Sequence, residues 1–280
     1  MIVITGATGN VGRPLVRALA EAGEQVTAVS RHTPGDPLPP SVRHIRADLS
    51  APDTLRAAVI GADALYLLVS GAGAHIPDPA DLLRIAAAGG VRRIVLQSSQ
   101  AAGTRPDAPS HAPLRAIEDA VRESGLDWTI LRPGGFDSNA YAWAASIRTD
   151  RTAAAPFGDV GLPMVDPVDI AEVAAVALRE EGHAGQVYEV TGPELSTPRQ
   201  RAEAIGDAIG EPVRFIEQTR EEARAAMLEF MPEPVVEGTL SILGEPLPPE
   251  RRISPDVERL LGRAPHTFAD WATRNLPAFK

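Results

Sequence analysis

Lysine is all but missing from this 280-residue chain. Of its 27 basic residues 26 are arginine, and the one lysine, Lys280, is the last residue. The body of the chain therefore has no lysine to form a Schiff base or to lower the pKa of a tyrosine beside it. Cysteine is absent altogether, which excludes a disulfide framework, a thiolate zinc site and a cysteine nucleophile. A cytoplasmic location is the expectation that goes with it. No apolar run reaches the roughly 18 residues of a membrane span. Strand-like Ile2-Val3-Ile4 begins at once, so no leader segment is expected and neither is a membrane partner. A net charge of −10 argues against nucleic acid, whose phosphates call for a basic face. Aromatic residues make up only 4%, while 44% of the residues are hydrophobic. That is enough to bury one large core, with or without a small appendage.

What is present has a regular order. Residues 2–5, 25–30, 43–47, 64–69, 93–97, 127–132 and 186–190 are short, aliphatic and strand-like. Between them, residues 11–22, 52–59, 79–88, 112–124 and 167–180 show helical spacing of apolar positions. Gly23, Gly61, Gly90 and Gly125 stand where helices should stop. Strand–helix alternation of this kind predicts an α/β fold, a doubly wound parallel sheet. After residue 135 the pattern loosens. Residues 135–165 read as a loop and short helix. Further on come helices near 197–209 and 219–230, a strand at 213–216 and a proline-rich connection at 232–249. The expected division is a dinucleotide-binding domain over 1–192, with 135–165 contributing to the substrate pocket, and a small substrate-binding lid over 193–280.

VITGATGNVG places Gly6, Gly9 and Gly12 between a strand and a helix. Gly6 permits a sharp turn, Gly9 a close backbone approach to a pyrophosphate, and Gly12 tight packing of helix on strand. The N–H groups around Asn10 and Val11 then face the anion at the positive end of the helix dipole. A structural strand–helix turn is the bland alternative, but the strand before, the helix after and a second strand ending near residue 30 favour nucleotide binding. That second strand ends in Ser30-Arg31-His32, with no acid before Asp36. An acid there would select NAD(H) through the ribose 2′-hydroxyl, whereas an arginine accommodates a 2′-phosphate. NADP(H) is therefore expected over NAD(H), unless Arg31 is merely a solvated strand end.

TGATGNVG, VSR at 29–31, ADL at 47–49, LLVSG at 67–71 and LQSS at 96–99 together resemble the atypical short-chain dehydrogenase/reductases. The NmrA-like branch, with its quinone and triphenylmethane-dye reductases, is the nearest in pattern. The resemblance continues through SGLDWTILRPGGF at 124–136, PVDIAEVAA at 167–175 and TFADWATRNLPAF at 267–279, so it spans nearly the whole chain. It implies phosphate-loop contacts from Gly6, Thr8, Gly9, Asn10, Val11 and Gly12, and places Asp48 and Leu49 beside the adenine. It also implies Leu68, Val69 and Ser70 at the ribose and pyrophosphate, Ser98 and Ser99 near the nicotinamide ribose, and Pro133, Gly134 and Gly135 at the nicotinamide edge. For Ser98 and Ser99 a strand-end turn or helix cap is the plain alternative.

One position departs from the family. Many members carry a lysine or histidine four residues before the glutamate matched by Glu118, and here that residue is Leu114. Tyr66, Tyr141 and Tyr188 all lie off this helix, so a lysine-assisted tyrosine acid is excluded. Quinones and conjugated cations accept hydride without a strong acid, whereas an ordinary ketone needs a proton donor. The missing acid shifts the expectation towards delocalised acceptors. His111, one turn before Leu114, is a candidate acid or base, or else a solvated turn residue. Tyr141 and Ser98 are further catalytic candidates, Tyr141 having lid packing as its alternative. Phe136, Trp143, Phe157, Met164, Met227, Phe230 and Met231 are expected to line an apolar substrate pocket or a small core beneath a lid.

The expected function is an NAD(P)H-dependent reductase of a quinone-like or polycyclic aromatic small molecule. Combined with the arginine- and alanine-rich composition of a GC-rich coding sequence, the aromatic and methionine residues above suggest a polycyclic aromatic or quinone metabolite, which aromatic polyketide tailoring would fit. An oxygenase acting on a polycyclic phenol and a non-enzymatic redox-sensing regulator stay open as alternatives. The expected assembly is a monomer or homodimer, with no metal.

Overall fold

All seven strand-like runs form strands, and they join one sheet. The strands are β1 (Ile2–Thr5), β2 (Val26–Ser30), β3 (Arg43–Arg46), β4 (Ala64–Leu68), β5 (Arg93–Gln97), β6 (Asp127–Pro133) and, after an unrelated β7 (Thr152–Pro156), β8 (Gln186–Val190). The structure is a computed structural model and describes residues 1–69 and 78–280. Ser70 therefore lies outside the described residues. The sheet order is β3-β2-β1-β4-β5-β6-β8. Strands β1 to β6 in it pair parallel, with Ile4 opposite both Ala28 and Tyr66 and Val95 opposite Thr129. The buried strands are nearly continuous apolar runs because parallel sheets are covered on both faces.

Side-chain alternation divides the core in two. Val3, Val29, Leu65, Leu67, Ile94, Leu96 and Ile130 point to one face. There they pack with Leu55, Val59, Leu82, Leu83, Ile117 and Val121 from the 52–59 turn, α3 (Pro79–Gly89) and α5 (Ala112–Glu123). The 52–59 segment is a 3₁₀ turn, Pro52–Leu55, running into the short α2 (Arg56–Val59). α1 (Gly12–Glu21) packs against β1 and β2, burying Leu15, Val16 and Leu19. Each such side chain contributes roughly 1.5–3 kcal/mol when fully buried. The four helix-stopping glycines all adopt positive φ, as their positions predict.

The chain order reverses between β1 and β4, and ligand crevices of doubly wound sheets open at that switch point. There the Thr5 hydroxyl accepts from Leu68 N–H at 2.8 Å and donates to the Tyr66 carbonyl at 3.1 Å. The two strand ends are thereby fixed to each other.

Two compact units emerge. The first holds residues 1–106, 111–132 and 170–189; the second holds 107–110, 133–169 and 190–280. The second unit thus takes in 133–169, which the sequence division grouped with the first domain. It contains α6 (Ala144–Asp150), the start of α7 (Pro167–Arg179), α8 (Pro198–Ile209), α9 (Arg220–Leu228), α10 (Glu233–Gly244), α11 (Asp256–Leu261) and α12 (Phe268–Arg274). β7 pairs in parallel with β9 (Arg214–Gln218), a pairing that the loop reading of 135–165 did not include. The expected proline-rich connection at 232–249 is largely the helix α10. Its prolines stand at the N-cap and in the first turn, where the missing N–H costs no helical bond. No described helix is long and apolar enough to cross a membrane.

Candidate cofactor site

The β1–α1 loop is built by the exclusion of side-chain atoms. Gly6 sits at φ +63°, and a Cβ there would lie 2.7 Å from Leu68 Cδ2. A Cβ on Gly12 would fall 2.1 Å from the Gly6 carbonyl oxygen and 2.8 Å from Ala7 Cα. Helix and loop can therefore approach this closely only with glycine at 12. Gly9 N–H donates to Gly6 O at 3.0 Å, closing the turn. α1 starts with no side-chain cap and no acid in its first turn. The first turn of α1 therefore sets no carboxylate of its own against an incoming phosphate.

Four strand ends contribute to one cleft of about 410 Å³ in the first unit. It is lined by Thr5, Gly6, Thr8, Gly9 and Asn10 from the loop, Val29 to His32 after β2, Ala47 to Ser50 after β3, and Leu68 and Val69 after β4. The volume is that of a small-molecule site. Nine of the expected cofactor residues meet here: Gly6, Thr8, Gly9, Asn10, Arg31, Asp48, Leu49, Leu68 and Val69. Val11 is buried at the start of α1, and Gly12 backs the loop. The Asp48 carboxylate accepts from Ser50 N–H at 3.0 Å and Ser50 Oγ at 2.8 Å. These bonds, helped by Arg31 and His32, hold its carboxyl below the usual carboxylate range. The first acid after β2, Asp36, is not in the lining; it pairs with Arg13.

Around α5 the chemistry is different. Glu118 is 1% exposed and takes a forked contact from Arg132, Nε to Oε1 at 3.0 Å and Nη2 to Oε2 at 2.6 Å. Arg122 adds a third bond at 2.9 Å. Burial pushes the Glu118 carboxyl up, but the Arg132, Ser98 and Arg122 contacts outweigh it and hold the group ionised below its ordinary value. Ser98 Oγ lies buried beside this carboxylate, outside good hydrogen-bond geometry. Gly103 makes room for the guanidinium, since a Cβ there would meet Arg132 Nη1 at 2.2 Å. Ser99 caps α4 (Gln100–Thr104), accepting from Ala101 N–H at 3.3 Å, the plain role weighed for it. Leu114 is half-buried and His111, the N-cap residue of α5, is engaged by neighbours.

None of the three tyrosines stands free. Tyr66 is fully buried and donates to Gln97 Oε1, and burial pushes its phenol further up. Tyr188 is bonded to His183 Nδ1 at 2.8 Å. Tyr141, in the second unit, donates to Asn275 Oδ1 and packs against the rings of Trp271 and Phe279.

The expected substrate-pocket residues divide between clusters of the second unit. Trp143 joins Ile147, Phe268, Trp271 and Phe279, with its indole N–H on the Ala154 carbonyl at 2.9 Å. Phe157, Met227 and Met231 pack on Ala223, Val236 and Leu240. Met164 is buried over Gly135, Phe136 bridges to Val165, and Phe230 is 68% exposed. Pro133 is buried, and Gly134 N–H donates to the Val190 carbonyl at 3.0 Å.

One acid of this unit was not among the expected site residues. Asp137, in the FDSNAYAW stretch, is 0% exposed, and neither carboxylate oxygen has a hydrogen-bond partner among the described residues. Burial drives its pKa up to about 7; Arg201 and Arg274 oppose the rise, while Asp169 and Glu194 add to it. Arg201 is itself buried, its guanidinium over the rings of Trp143 and Phe268. An acid in an otherwise apolar and small-residue stretch was the only available signal.

Comparison with known proteins agrees with this geometry. The family model described as NAD(P)H-binding matches residues 6–181. The (4-alkanoyl-5-oxo-2,5-dihydrofuran-3-yl)methyl phosphate reductase of Streptomyces griseus is 36% identical, across 100% of this chain and 99% of its own length. The NAD(P)H azoreductase of Xenophilus azovorans is 32% identical, across 100% and 99%. Among solved structures, the NADPH complex of an Escherichia coli NADPH-dependent quinone oxidoreductase superposes with a TM-score of 0.80 at 25% identity. That match covers 98% of this chain and 99% of the other.

Proposed function

The chain belongs to the NAD(P)H-binding family, within the atypical short-chain reductases that its motifs resemble, and is an NAD(P)H-dependent oxidoreductase; we propose that it delivers hydride to a conjugated, electron-poor small molecule of quinone-like or polycyclic aromatic type, with NADPH favoured over NADH. The residues present fit a dinucleotide: a glycine cradle that side chains would fill, an uncapped helix start, and Arg31 at the rim of the cleft. The bound nicotinamide supplies the hydride, and the protein supplies orientation and electrostatics.

The observation that carries the acceptor class is the state of α5. Position 114 is aliphatic, and the acid one turn later is locked between two arginines as a carboxylate. A group held ionised that way does not protonate an alkoxide. A quinone takes hydride into a delocalised anion and then draws its proton from water, so it needs no protein acid. The substrate classes named for the relatives, a furanone conjugated to carbonyls, an azo compound and a quinone, share that property. An aromatic polyketide is one member of this class, supported by the arginine-rich composition and the apolar clusters of the second unit.

The preference for NADPH rests on Arg31 lining the cleft while Asp36, the nearest acid after β2, is taken by Arg13. Arg31→Ala should raise the Kd for NADPH by about tenfold or more, the loss of a charge-assisted contact. The Kd for NADH should stay within about twofold. Fluorescence titration of both nucleotides checks it, and equal losses for the two would sink the assignment. In turnover, steady NADPH consumption with quinones is expected. Its absence across a panel of quinones, azo compounds and conjugated lactones would overturn the reading.

A further inference from the structure

Arg31 has to be presented at the rim of the cleft, and the chain around it shows how. Ser30 is the last residue of β2 and is 8% exposed. Its hydroxyl lies 2.7 Å from the His32 carbonyl oxygen and 2.8 Å from His44 Nε2. A carbonyl oxygen only accepts, so the single hydroxyl hydrogen goes to His32. Ser30 Oγ must then accept from His44, and Nε2 must carry a hydrogen. That requirement is met by one neutral tautomer and also by the imidazolium, so the chain of bonds does not depend on the charge of the ring.

Strand register makes the contact possible. Ala28 is paired with His44 and Ser30 with Arg46. His44 thus stands diagonally across from Ser30, within reach of a long side chain on the same face. The Ser30 bond to a carbonyl two residues on is a local turn with Arg31 at its centre. Further along, Arg13 donates to the Thr8 carbonyl at 2.9 Å and pairs with Asp36. The segment from 31 to 36 is therefore tied to β3 at one end and to the phosphate loop at the other.

We propose that Ser30 and His44 are positioning residues for cofactor selectivity, the His44–Ser30–His32 bonds fixing the turn that holds Arg31 against a 2′-phosphate. This rests on the NADPH reading above. Without the hydroxyl or the imidazole donor, the backbone after β2 gains freedom and Arg31 loses its preset place. Recognition of the 2′-phosphate then costs ordering entropy, while the rest of the adenosine site is unaffected.

The test is binding of adenosine 2′,5′-bisphosphate against 5′-AMP by calorimetry, for wild type, Ser30→Ala, His44→Leu, His44→Gln and Arg31→Ala. His44→Leu and Ser30→Ala should weaken the bisphosphate about fivefold, the order of one hydrogen bond, and leave 5′-AMP within about twofold. His44→Gln, whose side-chain N–H can replace Nε2, should bind like wild type. Parallel loss of both ligands would mark a merely structural pair, and no loss in either variant would mark an idle one; each overturns the proposal. If Arg31→Ala keeps the bisphosphate preference, the NADPH reading falls and takes this inference with it. If Arg31→Ala loses the preference but the Ser30 and His44 variants keep it, only the inference falls.

Discussion

Asp137→Asn is expected to stabilise the protein by about 4–5 kcal/mol at high pH while leaving it unchanged in acid. Burial raises this carboxyl from its ordinary 3.8 to about 7, because no hydrogen bond meets either oxygen and Arg201 only partly compensates. A raised carboxyl pKa means that the unfolded chain releases its proton first. The native state keeps its full advantage below about 4. It loses it as pH climbs towards 7, and is then flat. Each tenfold displacement is worth about 1.4 kcal/mol, which sets the size of the effect. Asparagine keeps the shape and cannot ionise, so the variant should show little of that slope. Urea unfolding between roughly pH 4 and 9 measures it. A Trp128→Phe background leaves Trp143 and Trp271, both in the second unit, as the fluorescent reporters. Stability profiles that overlap across this range, with and without the Asp137→Asn substitution, would show that the carboxyl is not buried as described.

Glu118→Gln should act in the opposite direction and nearly as strongly. Removing one member of a buried ion pair typically costs about 3–5 kcal/mol. Arg132 keeps 21% and Arg122 33% of its side chain exposed, so about 3 kcal/mol is expected. Glutamine offers one acceptor oxygen where the forked guanidinium uses two, and it turns an N–H donor towards other donors. The pH signature is also reversed. Glu118 is held below its ordinary value, so its stabilisation is present above 4.5 and fades as pH falls through the lowered native value. Apolar replacement of the forked pair, Glu118→Leu with Arg132→Leu, leaves Arg122 with Asp119 and a part-exposed side chain, and should recover most of the loss. A double variant as unstable as the two single losses added together would refute the pairing.

These two acids show what the sequence could and could not disclose. Strands, helix stops and the phosphate loop are written in local patterns: alternation, glycine spacing and the position of a helix start. All seven strands of the main sheet and nine residues of the cleft lining were legible for that reason. Arg122 lies four residues from Glu118 and was predictable as a helical neighbour, but Arg132 reaches Glu118 on α5 from strand β6. The cations that act on Asp137, Arg201 on α8 and Arg274 on α12, lie far along the chain. α10 was hidden by prolines that a helix tolerates at its start. For the aromatic and methionine residues, composition does not say which cluster each one joins. Trp143 and Phe157 went to different ones.

With Leu114 aliphatic and Glu118 locked as a carboxylate, hydride should leave a bound cofactor here without help from a protein acid. The direct measurement is single-turnover oxidation of NADPH by a quinone and by an unactivated ketone, over roughly pH 6 to 9. The expected result is hydride transfer to the quinone, slowed by deuterium at the transferred position of the nicotinamide and nearly flat with pH, and no turnover of the ketone. Reduction of the ketone at a comparable rate, falling along the titration of a single acid, would contradict it.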